Sequence, residues 1–272
     1  MRMFKKYASL YILYSVLLII VPLIFIVLFS FTTGKELNFS VLTLDSFKKV
    51  FEPLYLTIIT RSIKLALITT IITFILGYIC AYFITKIDSK LQHIVLVLFI
   101  VPMWMNVLLR TYAWKSILSY NGLFNQLLAK FSVEPLDLLN TDFAVILGMV
   151  YNFLPFMIFP IYTALVSIDN DLINAAKDLG SNKYQIFKRV IFPLSVPGII
   201  TGVIFVFMPS ATSFIIPMYL GGGKVDMIGN IIERQFTVVG DWNFGSALSL
   251  FIMFIMLVST SLFRKIGDKY EK

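Results

Sequence analysis

The sequence is poor in the residues that carry chemistry. It holds one cysteine, Cys80, and one histidine, His93. A single thiol excludes an intramolecular disulfide, and its place in an apolar run reads as a packing residue. A single imidazole excludes the His and Cys clusters that hold zinc. Charge is scarce as well, at 14% of residues. No H-E-x-x-H and no G-x-S-x-G occurs. The stretch GGGKV fails as a phosphate loop, because Val225 follows Lys224 and Met218 holds the first glycine position. The chain therefore has no nucleotide engine and no catalytic constellation of its own, and no metal site is expected.

The longest absence is of charge within apolar runs. Leu10–Phe31, Leu65–Thr85, Ile94–Leu109, Phe143–Ile168, Leu194–Gly223 and Phe244–Phe263 contain no Asp, Glu, Lys, Arg or His in their interiors. Proton- and ion-coupled carriers keep such groups at membrane depth, so a self-powered carrier is disfavoured. The runs define the fold class. A membrane-crossing helix needs roughly 20 apolar residues. The expectation is an all-α membrane protein of six transmembrane helices, forming one domain over residues 1–272. Its spans are placed at about 10–31, 65–85, 94–109, 143–168, 195–217 and 244–263.

Six spans put both ends on one side. With the ends inside, 13 of the 23 basic residues fall on the inner segments, which are much the shorter in total. The positive-inside rule then places both termini in the cytoplasm. The net charge of +8 is thus a topology signal, and nucleic acid is not an expected partner.

Several local features follow. In LTLDSFKKVFEPL, Asp45 is expected to cap a short outer helix whose Phe47, Val50 and Phe51 share a face. Asn121-Gly122 marks an outer turn. The fourth span contains Pro155 and Pro160, and the fifth Pro209 and Pro217. Such prolines free backbone groups, either as plain kinks or as interrupted helices beside a substrate route. Ile228–Phe236 can form a short amphipathic helix.

One charged insert, NAAKDLGSNKYQIFKRVIFPLSVPG (174–198), lies between the fourth and fifth runs. Leu172, Ala175, Ala176 and Leu179 fall on one helical face. Gly180 can take a left-handed stop. Ser181 can cap a second helix, with Tyr184, Phe187, Val190 and Ile191 as its apolar face. Pro193 and Pro197 are expected to end that helix and start the fifth span. Amphipathicity alone is also consistent with a helix lying on the membrane surface.

The order of residues in the insert resembles the EAA motif of ABC-importer permeases, the MetI-like, binding-protein-dependent superfamily. Ala175, Ala176, Gly180 and Pro193 match at the motif's spacing, with Val190 for Ile, Phe192 for Leu and Asn174 for Glu. RTYAWKSILSYNGLFNQLL, LGGGKVDMIGNIIERQFTVVGDWNFGSALS and LTLDSFKKVFEPLYLTIITRSIKLAL look like the permeases of spermidine/putrescine importers. The likeness covers nearly the whole chain; relatives for iron, sulfate and other small solutes share much of the pattern, and a stand-alone channel or carrier is the rival class.

The resemblance implies a non-catalytic subunit in a bacterial cytoplasmic membrane. It implies a second related permease, two copies of an ABC ATPase that hold the ATP and magnesium, and an extracytoplasmic polyamine-binding protein. In the family the first helix of the insert docks on the ATPase, so Asn174, Ala175, Ala176, Gly180, Val190, Phe192 and Pro193 are the coupling candidates. Candidates for the translocation path are Trp104, Asn106, Tyr151, Asn152, Ser210, Ser213 and Tyr219. Asp142 and Asp241 are candidates for the outer mouth.

Overall fold

The computed structural model describes residues 11, 14–33, 42–267 and 269. Leu10, Arg2, Lys5, Lys6, Lys35 and Lys272 lie outside the described residues. The chain divides into two compact units, Met1–Ile58 with Ile231–Ile255, and Ile59–Asn230 with Met256–Lys272.

In chain order the helices are α1 (Val16–Ser30), α2 (Asp45–Val50), α3 (Pro53–Ile84), α4 (Ser89–Trp104), α5 (Val107–Leu118) and α6 (Leu123–Lys130). They continue as α7 (Asp142–Val166), α8 (Asn170–Asp178), α9 (Lys183–Thr212), α10 (Ile215–Leu220), α11 (Ile228–Arg234) and α12 (Trp242–Gly267). Among the described residues no strand forms; Thr32 and Leu42 make one isolated antiparallel bridge.

Among the described residues, four helices are long and apolar enough to cross a membrane uninterrupted: α3, α7, α9 and α12. The other two predicted spans differ. The first run yields the shorter α1. The third, predicted as one helix over 94–109, is broken: α4 and the segment Val107–Lys130 are bent by 93°. Pro102 weakens the last turn of α4, and the Asn106 side chain accepts a hydrogen bond from Leu108 N at 2.8 Å, starting a new helix in a new direction. Conversely, α3 begins at Pro53, well before Leu65. At 1.5 Å per residue its 32 residues reach about 48 Å, beyond the roughly 30 Å hydrocarbon core. Its first turns, which carry Arg61 and Lys64, can therefore stand clear of the lipid.

In the first unit, α2 forms as expected but Asp45 does not cap it. Leu44 holds the cap position. The Asp45 carboxylate instead accepts from Thr43 Oγ1 at 2.8 Å and from Lys48 Nζ at 2.9 Å, and the Lys48 hydrogen bond holds its carboxyl below the usual carboxylate range. The expected face does pack: Val50 is buried, Phe47 meets Phe31 at 5.0 Å and Phe51 meets Phe251 at 5.5 Å. Asn243 at the start of α12 is buried and donates to Phe29 O, Thr32 O and Thr32 Oγ1, tying α12 to the end of α1.

The second unit is built on α7 against α9, with α3 alongside. Small residues set the approach. A side chain at Gly198 would strike Pro160 O and Ala164, and one at Gly202 or Gly77 would strike Met157. In lipid, where apolar side chains gain little by leaving the solvent, close approach of this kind drives helix association. Met157, Ile158, Ile161 and Val206 are fully buried at the contact, and Tyr78 Oη and Ser195 Oγ share a hydrogen bond of 3.1 Å.

Pro155 and Pro160 leave α7 unbroken, whereas the fifth run does break, at Ser213–Phe214 between α9 and α10. The break is satisfied by its surroundings: Asn230 Nδ2 donates to Phe214 O at 2.7 Å. The backbone of Gly229 passes so close to Thr212 O and Ser213 O that no side chain fits there. The predicted helix after residue 228 forms as α11, and a wide π turn, Gln235–Val239, follows it.

Candidate functional site

The insert is helix, turn, helix. Asp169 caps α8 by accepting from Asp171 N at 2.9 Å. At the other end Gly180 takes φ of +80°, Gly180 N donates to Lys177 O at 2.8 Å and Ser181 N to Ala176 O at 3.0 Å. These paired bonds are the Schellman stop that the glycine predicts. Nothing lies within 4 Å of where a Gly180 side chain would point, so the glycine is required by the turn and opens onto free space.

The face predicted for α8 is split. Ala176 turns inward and, with Ile173, packs on the core of the second unit. Leu172, Ala175 and Leu179 turn outward, and Leu179 is 87% exposed. Asn174 is exposed and accepts from Lys177 Nζ at 3.2 Å.

Three details of the second helix depart from the sequence reading. Asn182 caps it, in place of Ser181, because Asn182 and Gln185 satisfy each other's backbone N–H in a capping box, each at 2.9 Å. Tyr184 is exposed, and Ile186 takes the buried position beside Ile191, with Phe187 and Val190 half-buried. Pro193 and Pro197 do not end the helix, which runs on from Lys183 to Thr212. A π turn at Phe187–Ile191 explains the continuity: Phe192 N bonds back to Phe187 O, and the widened turn admits Pro193 just after it. Phe192 meets Tyr78 at 5.8 Å and Phe187 at 6.2 Å, so the coupling candidates Val190, Phe192 and Pro193 belong to the root of the insert. Its exposed tip is Leu172, Ala175, Leu179, Gly180 and Tyr184.

The path candidates fall into two sets. Trp104 is 82% exposed at the bend after α4, and Asn106 caps α5. Tyr151 lies against Trp114 at 5.4 Å, and Tyr219 against Tyr112 at 4.7 Å. Helix α5 thus supplies a partner to each tyrosine. The sequence reading missed Tyr112 and Trp114 as members of this group, although both stand in the quoted stretch RTYAWKS. Asn152 and Ser210 form the other set, buried among the helices of their own chain. Asn152 Nδ2 donates to Gly148 O at 2.8 Å, while Asn152 Oδ1 and Ser210 Oγ have no partner among the described residues. Ser213 is half-buried at the end of α9.

Both carboxylates expected at the outer mouth are engaged within the chain. Asp142 Oδ1 meets Arg61 Nη2 at 2.6 Å, and Arg61 Nη1 also donates to Lys224 O at 3.0 Å. Asp241 Oδ1 accepts from Phe244 N at 3.0 Å at the start of α12, and its Oδ2 lies 3.5 Å from Lys49 Nζ. The Lys49 ammonium also sits 4.6 Å above the Phe244 ring.

The family model for "Binding-protein-dependent transport system inner membrane component" matches residues 73–271, which include the whole insert. The spermidine/putrescine transport system permease protein PotB of Haemophilus influenzae is 38% identical over 242 residues, covering 88% of this chain and 85% of that protein. The protein of the same name from Escherichia coli (strain K12) is 39% identical over 245 residues, covering 89% of each. In structure the chain is similar to a bacterial ABC transporter involved in the import of the acidic polysaccharide alginate. The TM-score is 0.83 at 18% identity, covering 100% of this chain and 97% of that one, a likeness of fold. An insert displayed between two packed spans, the family match over most of the chain and these relatives have one reading: the chain belongs to the inner-membrane components of binding-protein-dependent transport systems, the multi-pass permeases of ABC importers.

Proposed function

We propose that this permease forms half of the translocation path of an ATP-driven polyamine importer of the spermidine/putrescine class, with both termini in the cytoplasm. The observation that carries the reading is the insert tip. An apolar, glycine-stopped surface built from Leu172, Ala175, Leu179 and Tyr184 is presented by ordered helices and left uncovered by its own chain. Such a surface fits a groove on a separate ATPase, of which the complex holds two copies. A second, related permease completes the path, and an extracytoplasmic binding protein delivers the substrate. ATP and magnesium reside on the ATPase.

The substrate sets a physical problem. A polyamine is a di- or trication, and desolvating unpaired charge is costly. The aromatic groups rooted in α5, Tyr112 with Tyr219 and Trp114 with Tyr151, together with Trp104, offer faces to ammonium groups, each worth about 0.5–2 kcal/mol. In this reading Asn106, Asn152, Ser210 and Ser213 supply polar lining, and the partner permease supplies the deep acid. Asp142 and Asp241 bias the outer mouth toward cations, tempered by Arg61 and Lys49.

Uptake of labelled spermidine by cells carrying the whole importer tests this. Trp104→Ala, Tyr151→Ala and Tyr219→Ala are expected to depress uptake; if all three leave it intact, the aromatic path is wrong. A chain that pulls down no ATPase and moves solute without ATP would overturn the importer reading. Transport of sulfate or iron in place of polyamines would overturn the substrate.

A further inference from the structure

The insert and the neighbouring end of α3 enclose a cleft that none of these roles uses. Its volume is about 400 Å³, and Tyr82, Lys86, Lys177, Lys183, Ile173 and Ile186 stand in its wall. A smaller hollow of about 200 Å³ shares Tyr82, Lys86 and Ile173 and adds the polar Thr85 and Gln92. Among the described residues no carboxylate lines either space. Asp169, Asp171 and Asp178 of the insert, and Asp88 just beyond Lys86, are exposed and line neither space.

Among the described residues, Lys86, Lys177 and Lys183 form no ion pair. The Lys86 ammonium sits 5.0 Å above the Tyr82 ring, and Lys177 donates to the neutral amide oxygen of Asn174. Neither contact cancels a charge. Lysines flanking membrane spans are common, but that tendency explains their number on one side, not their convergence on one acid-free concavity. Three ammonium groups around so small a space repel one another unless an anion joins them. Lys86 lies two residues beyond the end of α3, where its charge-free run stops, and about half of the wall is apolar.

We infer that this cleft binds a phosphate-bearing anion, held by Lys86, Lys177 and Lys183, with the phosphodiester of an acidic phospholipid as its occupant. The phosphate oxygens accept from the three ammonium groups, and the glycerol portion rests on Ile173 and Ile186. Asn174 contributes by being uncharged: a carboxylate there would neutralise Lys177.

The test uses the complete importer in nanodiscs of phosphatidylcholine containing phosphatidylglycerol, with retained lipid counted by native mass spectrometry. Wild type is expected to retain phosphatidylglycerol over phosphatidylcholine. Each single change, Lys86→Gln, Lys177→Gln or Lys183→Gln, should weaken retention about fivefold, and the triple change should abolish the preference. Asn174→Glu should match the loss of one lysine, and the triple Lys→Arg variant should retain the lipid. These side chains are exposed, so folding is expected to survive; unchanged gel-filtration profiles check it. A parallel arm titrates inorganic phosphate and follows its phosphorus resonance. Broadening by wild type but not by the triple Gln variant, without lipid preference, would keep the anion site but assign it to free phosphate. Neither lipid preference nor broadening would mean solvated lysines only, and would overturn the proposal.

Discussion

The two ends of the second unit handle polar and apolar groups in opposite ways. At the end where α7 begins, one carboxylate and one helix break are closed within the chain, while the buried Arg110 Nε has no partner among the described residues. Arg61 bridges Asp142 and Lys224 O, and buried Asn230 closes the break between α9 and α10 by bonding Phe214 O. At the insert end the chain leaves work undone. Leu172, Leu179 and Tyr184 face outward, and three lysines surround a cleft without an acid. The first end closes its carboxylate and its helix break internally; the second displays an apolar tip and a basic cleft that its own chain leaves open. Reading function from a permease therefore means asking which end is unsatisfied.

The contrast can be broken most severely at Gly180. Gly180→Asp places a side chain at φ of +80°, a region costing an L-residue roughly 1–2 kcal/mol, and projects a charge from the tip. We expect ATP-dependent uptake to be lost while the permease still reaches the membrane, checked by transport assay and by co-purification of the ATPase. Ala176→Asp, whose side chain would enter the packed face, should do the same with an added loss of stability. Next in size is Asn230→Ala at the satisfied end. It strips a buried amide of its role and should cost about 1–3 kcal/mol, read as a lower unfolding temperature with the tip intact. Asn182→Ala removes the capping box of α9 and should cost about 1 kcal/mol; Asn182→Ser should recover most of it. The smallest effect is the Arg61–Asp142 pair. Both side chains are over a third exposed, so a double-mutant cycle should give well under 1 kcal/mol, shrinking as salt rises.

Much of the fold was legible because charge-free runs are hard to read otherwise in a chain this apolar. The left-handed stop at Gly180 was legible too, since glycine there has a narrow set of uses; the break in the fifth run was left open between kink and interruption, and it falls at Ser213–Phe214, between Pro209 and Pro217, which both lie inside helices. What escaped depends on neighbours in space. The extension of α3 ahead of Leu65 passes through Arg61 and Lys64, which a search for apolar spans discards. The passage of α9 through Pro193 depends on a π turn that has no composition signal. The 93° bend depends on Asn106 acting as a cap, and Asn106 was quoted for its polarity instead. Of the candidate path, the sequence supplied Tyr151 and Tyr219 but not Tyr112 and Trp114, because residues at i and i+2 of a helix face different ways and their partners lie on other helices.

The π turn at Phe187–Ile191 has a consequence for how this chain can vary. It inserts one surplus residue between the insert and the span it is rooted in. Because Phe192 N closes on Phe187 O, five residues fill the place of four, and the surplus is absorbed within the one wide turn. Deleting one residue from 187–191 would let that turn close as a regular one, with Ile186 still facing the core, whereas a deletion elsewhere in Lys183–Ile186 would turn the insert by about 100°. The wide turn is therefore the one place at the root of the insert where chain length can change while the insert keeps its orientation.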